Sequence, residues 1–188
     1  MIFPTVTHLI TIANQSKCCA RTMKFLCAVA QGKWIVSFQW VIKCHQEKQW
    51  VDESPYEVLG TILEDRNFIT YAPQKGRENA MLKVAGQLFS GCEFFLTGDL
   101  CQPLPSKLDL EHLIKMAGGT VLDVDPRNSS LSEHLIHPYH AASSSSYLIV
   151  LASGPTFCPD TQKYTTPCIF QVSPSWIFDC LSEFKLLL

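Results

Sequence analysis

The sequence predicts an α/β protein built from two copies of a small unit, in which a parallel sheet is flanked by helices. One signature, V-S-x-x-W-[V/I]-x-x-C, occurs at residues 36–44 and again at residues 172–180, 136 residues further on. Short apolar runs alternate with segments whose apolar residues recur at helical spacing. Near-continuous apolar runs are typical of parallel strands that are buried on both faces.

The first half of the chain begins with a β-branched, apolar run at residues 7–12, which predicts a buried strand. A helix over residues 20–30 follows, because its apolar residues recur at i, i+3, i+4 and i+7. Gly32 ends this helix, and residues 33–37 form a second strand. Ser37 is a candidate N-cap for the helix that carries the first tryptophan of the signature.

Proline, glycine and polar residues interrupt residues 54–85, which we predict as irregular apart from a short helix at residues 78–84. The second half then resumes the pattern of the first. Its predicted strands lie at residues 92–98, 120–124, 147–152 and 169–173. Its predicted helices bury two apolar stripes, formed by Leu110, Leu113, Ile114 and Ala117 and by Ile177, Cys180, Leu181 and Phe184.

The duplication extends to the strand ahead of each signature. Leu9-Ile10 matches Leu148-Ile149 at an offset of 139 residues, close to the offset of the signature itself. Two matched segments in nearly the same register indicate an internal repeat. Trp40 and Trp176 are then expected to be structural anchors, whose indole packs across the sheet edge with its N–H near water or a carbonyl.

Composition limits the classes of function. The net charge is −2, so the chain offers no basic surface for non-specific binding to nucleic acid. None of the nine cysteines forms a C-x-x-C pair, and a reducing compartment fits better than secretion. No apolar stretch approaches the ~18 residues of a membrane span, so no membrane partner is expected.

Signals for catalysis or metal binding are weak. His134, His137 and His140 are spaced by three, but Pro138 interrupts any helix that would align them. No carboxylate or cysteine pair completes a metal site, and no nucleotide, nucleophile-elbow or zinc-protease motif is present. We therefore expect no metal, no cofactor and no catalytic residue.

The signature residues resemble those of the BRCT family. Trp40 and Trp176 match the family's tryptophan in its final helix, and Gly118-Gly119 matches its glycine turn. Four further segments resemble the tandem C-terminal repeats of the family's breast-cancer-susceptibility branch, whose members carry a RING domain. These segments are RTMKFL at residues 21–26, GKWIVS at residues 32–37, PYEV at residues 55–58 and LFSG at residues 88–91.

The resemblance implies a domain layout. A BRCT repeat runs strand, helix, strand, strand, helix, strand, helix. Residues 87–188 supply nearly all of it, whereas residues 1–55 begin at the third strand, and residues 56–86 would be the linker. The first repeat is thus expected to lack its first strand, helix and second strand. Their loss would leave an apolar edge exposed beside residues 7–12.

The resemblance also implies a site. Tandem BRCT repeats bind phosphoserine peptides with phenylalanine at +3, in a groove between the repeats. Lys24 matches the lysine that holds the phosphate, but the serine and glycine that share this contact have no counterpart here. Arg21 matches the arginine beside the peptide backbone. The residues matching the +3 pocket are Leu26, Leu104 and Phe178.

Alternatives remain for each of these residues. Arg21 and Lys24 could form a solvated helix face, and Leu26 and Phe178 could pack as the core between the repeats. The resemblance implies a nuclear protein whose partners are phosphorylated DNA-damage-response proteins, without sequence-specific nucleic-acid binding and without the RING activity. A phosphate-independent scaffold and an unrelated α/β enzyme are the other two hypotheses.

Overall fold

A computed structural model of the chain describes residues 5–82, 86–98, 105–123, 147–153 and 169–187. It contains two compact units. The first comprises Met1–Ala85 together with Cys180–Phe184, and the second comprises Gly86–Asp179 together with Lys185–Leu188. Helices and strands of both units confirm the predicted α/β fold class.

The first unit begins with three strands and two helices, and all of them except the second strand start within three residues of their predicted start. They are β1 (His8–Thr11), β2 (Cys18–Ala20), α1 (Met23–Ala30), β3 (Trp34–Ser37) and α2 (Phe38–Glu47). Only β2 was not expected, because a three-residue strand leaves no periodicity to detect. Thr22 caps α1 by accepting a hydrogen bond from the Phe25 amide, and every residue from Phe25 to Ala30 is buried.

Two small sheets form in the first unit. β1 and β3 are parallel, with Leu9 opposite Ile35 and Ile10 opposite Val36. The second sheet has the order β2-β4-β5, in which β4 (Gly60–Leu63) and β5 (Arg66–Ile69) are antiparallel. The buried residues of α1 and the two central residues of β3 supply most of the apolar core of this unit.

The β4–β5 hairpin lies in a segment that we predicted to be irregular. Its turn is made by Glu64 and Asp65, both with positive φ, at +49° and +61°. Tight hairpins usually place asparagine or glycine at such positions. The Glu-Asp pair therefore gives no turn signal in the sequence, although it forms one here.

The helix α3 (Ala72–Leu82) is longer than the predicted helix at residues 78–84. Pro73 and Gly76 read as interruptions, but Pro73 lies in the first helical turn, where its missing N–H costs little. Gly76 is needed for close packing, since a Cβ there would lie 2.5 Å from the carbonyl oxygen of Val29. Pro73 and Gly76, which argue against a helix in the sequence, are thus compatible with α3, and the packing of α3 requires Gly76.

A buried ion pair holds α3 in the first unit. The Arg77 guanidinium donates to both carboxylate oxygens of Glu57, at 3.1 and 3.0 Å. Its Cζ also lies 3.8 Å from the centroid of the Trp34 ring. Because guanidinium is planar, it can satisfy a carboxylate and stack on an indole at the same time.

The second unit has the predicted parallel sheet, with the strand order β7-β6-β8-β9. Its strands and helices are β6 (Cys92–Gly98), α4 (Lys107–Met116), β7 (Thr120–Leu122), β8 (Tyr147–Ser153), β9 (Ile169–Val172) and α5 (Ser175–Glu183). The predicted stripe of α4 is buried, with Leu110, Leu113 and Ile114 inaccessible to solvent.

Sheet register corrects the strand alignment of the internal repeat. Val36 pairs with Ile10, and the equivalent Val172 pairs with Leu151. Ile10 therefore corresponds to Leu151, 141 residues on, and the predicted offset of 139 is wrong. Both segments of the sequence hold apolar residues two positions apart, so a shift of two residues keeps an apolar residue on the same face and cannot be detected from the sequence.

Candidate functional site

The start of α1 presents a positive charge to solvent. Lys24 is exposed in the first turn, which contains no acidic residue. The half-buried Arg21 precedes the cap Thr22 and directly follows β2. A helix N-terminus favours anions because its first amides lack partners and its dipole is positive there. This corner of the first unit is therefore suited to an anionic group.

The remaining predicted site residues have different surroundings. Leu26 lies two residues beyond Lys24 and is only 3% exposed, so it packs in the core of the first unit. Phe178 lies on α5 in the second unit and is half-buried. Leu104 falls outside the described residues. The structure thus brings Arg21, Lys24 and Leu26 together on one helix and its cap.

The two signature tryptophans have the same geometry in both units. Trp40 Nε1 donates to the carbonyl oxygen of Val51 at 2.9 Å, and Trp176 Nε1 donates to that of Leu187 at 2.8 Å. Each acceptor lies 11 residues after its tryptophan. Both indoles are buried, and each ties the chain that follows the helix back to it.

The glycine turn after α4 has two separate steric requirements. Gly118 has a φ of +86°, a conformation that side chains rarely adopt. At Gly119 a Cβ would lie 2.7 Å from both Ile114 and Phe94. The first glycine therefore ends the helix, and the second lets β7 start against the core.

Matches to protein-family models identify the family of this chain. A model described as BRCT domain matches residues 87–188, which is more than half of the chain. The chain belongs to the BRCT family. A second model, described as Regulator of Ty1 transposition protein 107 BRCT domain, matches residues 4–58. Neither matched model is that of an enzyme family.

Several curated relatives resemble this BRCT chain. The Arabidopsis thaliana protein BREAST CANCER SUSCEPTIBILITY 1 homolog is 40% identical over 117 residues, which cover 62% of the chain and 12% of that protein. BRCA1-associated RING domain protein 1 of the same species is 27% identical over 97% of the chain and 26% of its own length. The chain thus spans about a quarter or less of these relatives.

Solved structures show the same fold. The BRCT5-BRCT6 domains of S. pombe Brc1 superpose with a TM-score of 0.57 at 20% identity, covering 95% of this chain and 78% of that one. Rtt107p residues 820–1070 give a TM-score of 0.56 at 14% identity, covering 96% of this chain and 72% of that one. The predicted likeness to tandem BRCT repeats is therefore confirmed.

The first BRCT unit contains a stack of four rings that the sequence did not predict. His8 lies between Trp34 and Trp40, with ring centroids 6.4 and 4.9 Å away, and Trp50 stacks on Trp40 at 5.4 Å. His8 Nε2 also lies 3.1 Å from the Glu53 carboxylate. The four rings come from four separate segments, so no periodicity in the sequence reveals them.

Two thiols in the described parts of this BRCT chain are deeply buried, those of Cys19 and Cys92. Burial raises the pKa of the Cys19 thiol to about 11 and that of Cys92 to about 12, so both stay protonated near neutral pH. No metal-binding cluster of histidine, cysteine or acidic residues occurs in the described ranges, and His134, His137 and His140 lie outside them. Among the described helices, none is long and apolar enough to cross a bilayer.

Proposed function

We propose that this chain is a protein-interaction module that reads phosphoserine peptides of the pSer-x-x-Phe kind in the DNA damage response and DNA repair, in the nucleus. Lys24 is the observation that carries the proposal. It matches the family's phosphate-binding lysine, and it is exposed at a helix start without a neighbouring acidic residue. The relatives in the breast-cancer-susceptibility branch support the cellular setting.

The physical chemistry of the first turn of α1 supports a phosphate contact. A phosphoserine carries close to two negative charges near neutral pH, and an ammonium with a helix N-terminus complements them. Arg21 would lie beside the peptide backbone, while Leu26, Leu104 and Phe178 would contact the phenylalanine at +3. Lys24 is exposed to solvent, so we expect its ion pair with the phosphate to give a modest selectivity for the phosphorylated peptide.

A phosphate-independent scaffold is the second candidate. Leu26 favours it, because a side chain that is 3% exposed in the core of its own unit has little surface left for a ligand. The two candidates separate on one property. A phosphopeptide reader loses affinity when the phosphate is removed, whereas a scaffold does not.

Isothermal calorimetry with one pSer-x-x-Phe peptide and its unphosphorylated form tests the proposal. We expect the phosphate to strengthen binding about two- to fivefold, the range of one partly solvated ion pair. Lys24→Ala should remove that difference. Lys115→Ala, which removes an exposed helical lysine of the second unit, should retain it. Equal affinity of the wild-type chain for both peptides would overturn phosphopeptide reading and favour the scaffold.

A further inference from the structure

The ring stack of the first unit has one covered end and one exposed end. At the covered end the Arg77 guanidinium lies over Trp34, and only 14% of the Arg77 side chain is exposed. At the exposed end Trp50 stacks on Trp40, yet 82% of Trp50 is exposed. One face of the Trp50 indole therefore lies on Trp40, while its other face is open to solvent.

Hydrogen bonds next to Trp50 hold its indole in place. The buried Trp40 donates to the carbonyl oxygen of Val51 at 2.9 Å, which ties the residue after Trp50 to the indole on which Trp50 stacks. Asp52 then accepts from the amide and the hydroxyl of Ser54 at 3.1 and 3.0 Å. A large aromatic face that is positioned in advance loses little entropy on binding, and tryptophan is a typical anchor of binding surfaces.

Acidic residues outnumber basic residues next to Trp50 in the chain. Residues 47–57 carry four carboxylates and one ammonium, that of Lys48. Two of the carboxylates form ion pairs with basic residues of α2 and α3. The other two, Asp52 and Glu53, remain against Lys48, so the segment that carries the exposed indole has an excess of negative charge. A complementary partner is therefore positively charged.

The covered end of the stack shows which cation this combination of groups accepts. There the Arg77 Cζ lies 3.8 Å from the centroid of the Trp34 ring, and the same guanidinium donates to both carboxylate oxygens of Glu57. A planar guanidinium can stack on an indole and bind a carboxylate together, whereas an ammonium acts as a point charge. The exposed end offers the same two groups, an indole face and neighbouring carboxylates.

We propose that the open face of Trp50 binds an arginine side chain of a partner protein, with Asp52 and Glu53 as its charge partners. The guanidinium lies over the indole as that of Arg77 lies over Trp34, and tryptophan gives the strongest cation–π attraction of the aromatic residues. A single exposed contact of this kind is weak, so it acts as one anchor within a larger interface. It uses none of the residues assigned to phosphopeptide reading and goes beyond that function.

An NMR titration of the full chain with the peptide acetyl-Gly-Ser-Arg-Ser-Gly-amide tests the proposal, because the backbone amides of residues 51–53 report binding in every variant. We expect saturable shifts in the wild-type chain and none in Trp50→Ala. Phe68→Ala is the matched control, since Phe68 is another exposed aromatic residue, and it should bind as the wild type does. Equal affinity of the two variants for the peptide would overturn the proposal.

Changes of charge keep the test decisive without altering the aromatic stack. A peptide with citrulline in place of arginine keeps the shape but not the charge, and it should bind about fivefold more weakly. The double variant Asp52→Asn with Glu53→Gln should weaken binding of the arginine peptide about two- to fivefold. Equal affinity for the arginine and citrulline peptides would make Trp50 a plain apolar contact and contradict the proposal. A lysine peptide that binds more tightly than the arginine peptide would contradict it as well.

Discussion

In the second unit β8 lies between two parallel neighbours, whereas in the first unit the corresponding β1 pairs, among the described residues, with β3 alone. The helix that follows is nevertheless built alike in both. Each begins after a Val-Ser pair, and each sends an indole N–H to a carbonyl 11 residues further on. The same helix and the same tryptophan hydrogen bond therefore occur both beside β1, which pairs with one described strand, and beside β8, which pairs with two.

Different surroundings support this common element in the two units. In the first, a ring stack and the Arg77–Glu57 pair lie around Trp34 and Trp40. In the second, Trp176 stacks on Phe89, 6.0 Å away between ring centroids. The tryptophan hydrogen bond is therefore common to both units, while the packing around it is specific to each unit.

Replacing each tryptophan gives the largest expected effect. We expect Trp40→Ala and Trp176→Ala each to lower the free energy of unfolding by about 3–5 kcal/mol, the usual cost of removing a buried indole. Urea unfolding followed by circular dichroism measures it. Trp40→Phe keeps a ring in the stack and should cost about 1–2 kcal/mol for the lost hydrogen bond and volume. A cost below about 1 kcal/mol for either alanine variant would break the equivalence of the two units.

Removing the buried carboxylate of the first unit should have the next largest effect. Glu57→Ala removes the carboxylate from the partly buried Arg77 guanidinium, which costs about 3 kcal/mol in comparable pairs. The double variant Glu57→Leu with Arg77→Met should cost much less, because no charge is left uncompensated. Urea unfolding of the single and double variants gives the coupling energy. Additive costs would show that the ion pair does not act as a unit.

The buried thiols should give the smallest effect near neutral pH, because their contribution changes only in alkaline solution, where it lowers the stability. The folded pKa of Cys92 is about 12 and that of Cys19 about 11, against 9.0 for an unperturbed thiol. Above pH 9.0 the thiols of the unfolded chain release protons that those of the folded chain keep, so the free energy of unfolding falls as pH rises. The decline belongs to the window from 9.0 to about 12 for Cys92 and to about 11 for Cys19.

Alanine substitutions separate the contributions of these two thiols. Cys92→Ala and Cys19→Ala should each flatten the fall in unfolding free energy between pH 9.0 and about pH 11. Urea unfolding at intervals across that range measures the slope. Slopes identical to that of the wild type would show that neither thiol titrates differently in the folded chain.

Much of the fold follows from the sequence where periodicity is long. The apolar run at residues 92–98 and the stripe around Leu110 give β6 and α4 almost to their ends. The β4–β5 hairpin could not be predicted because Glu64 and Asp65 adopt a turn conformation that they rarely take. The helix α3 could not be predicted because the close approach to Val29 that requires Gly76 is a tertiary contact.

Some features of the candidate site could likewise be predicted from the sequence, and others could not. Lys24 could be identified from a local motif, and its exposure follows from the polar face of a helical stripe. The burial of Leu26 follows from its place in the apolar stripe of the predicted helix, whereas the burial of every residue from Phe25 to Ala30 goes beyond one face and was not predicted. The ring stack depends on residues from four segments, and only the tertiary fold brings His8 between two indoles.

Amide hydrogen exchange by NMR tests the difference between the pairing of β1 and that of β8 most directly. Ile10 and Leu151 are equivalent in register. The Thr7 carbonyl accepts from Trp34 on the β3 side, so Leu9 faces β3 and the Ile10 amide faces away from it. The account predicts that the Leu151 amide is protected by β6, while the Ile10 amide exchanges fast and the neighbouring Leu9 amide exchanges slowly. An Ile10 amide as protected as that of Leu9 would contradict the account.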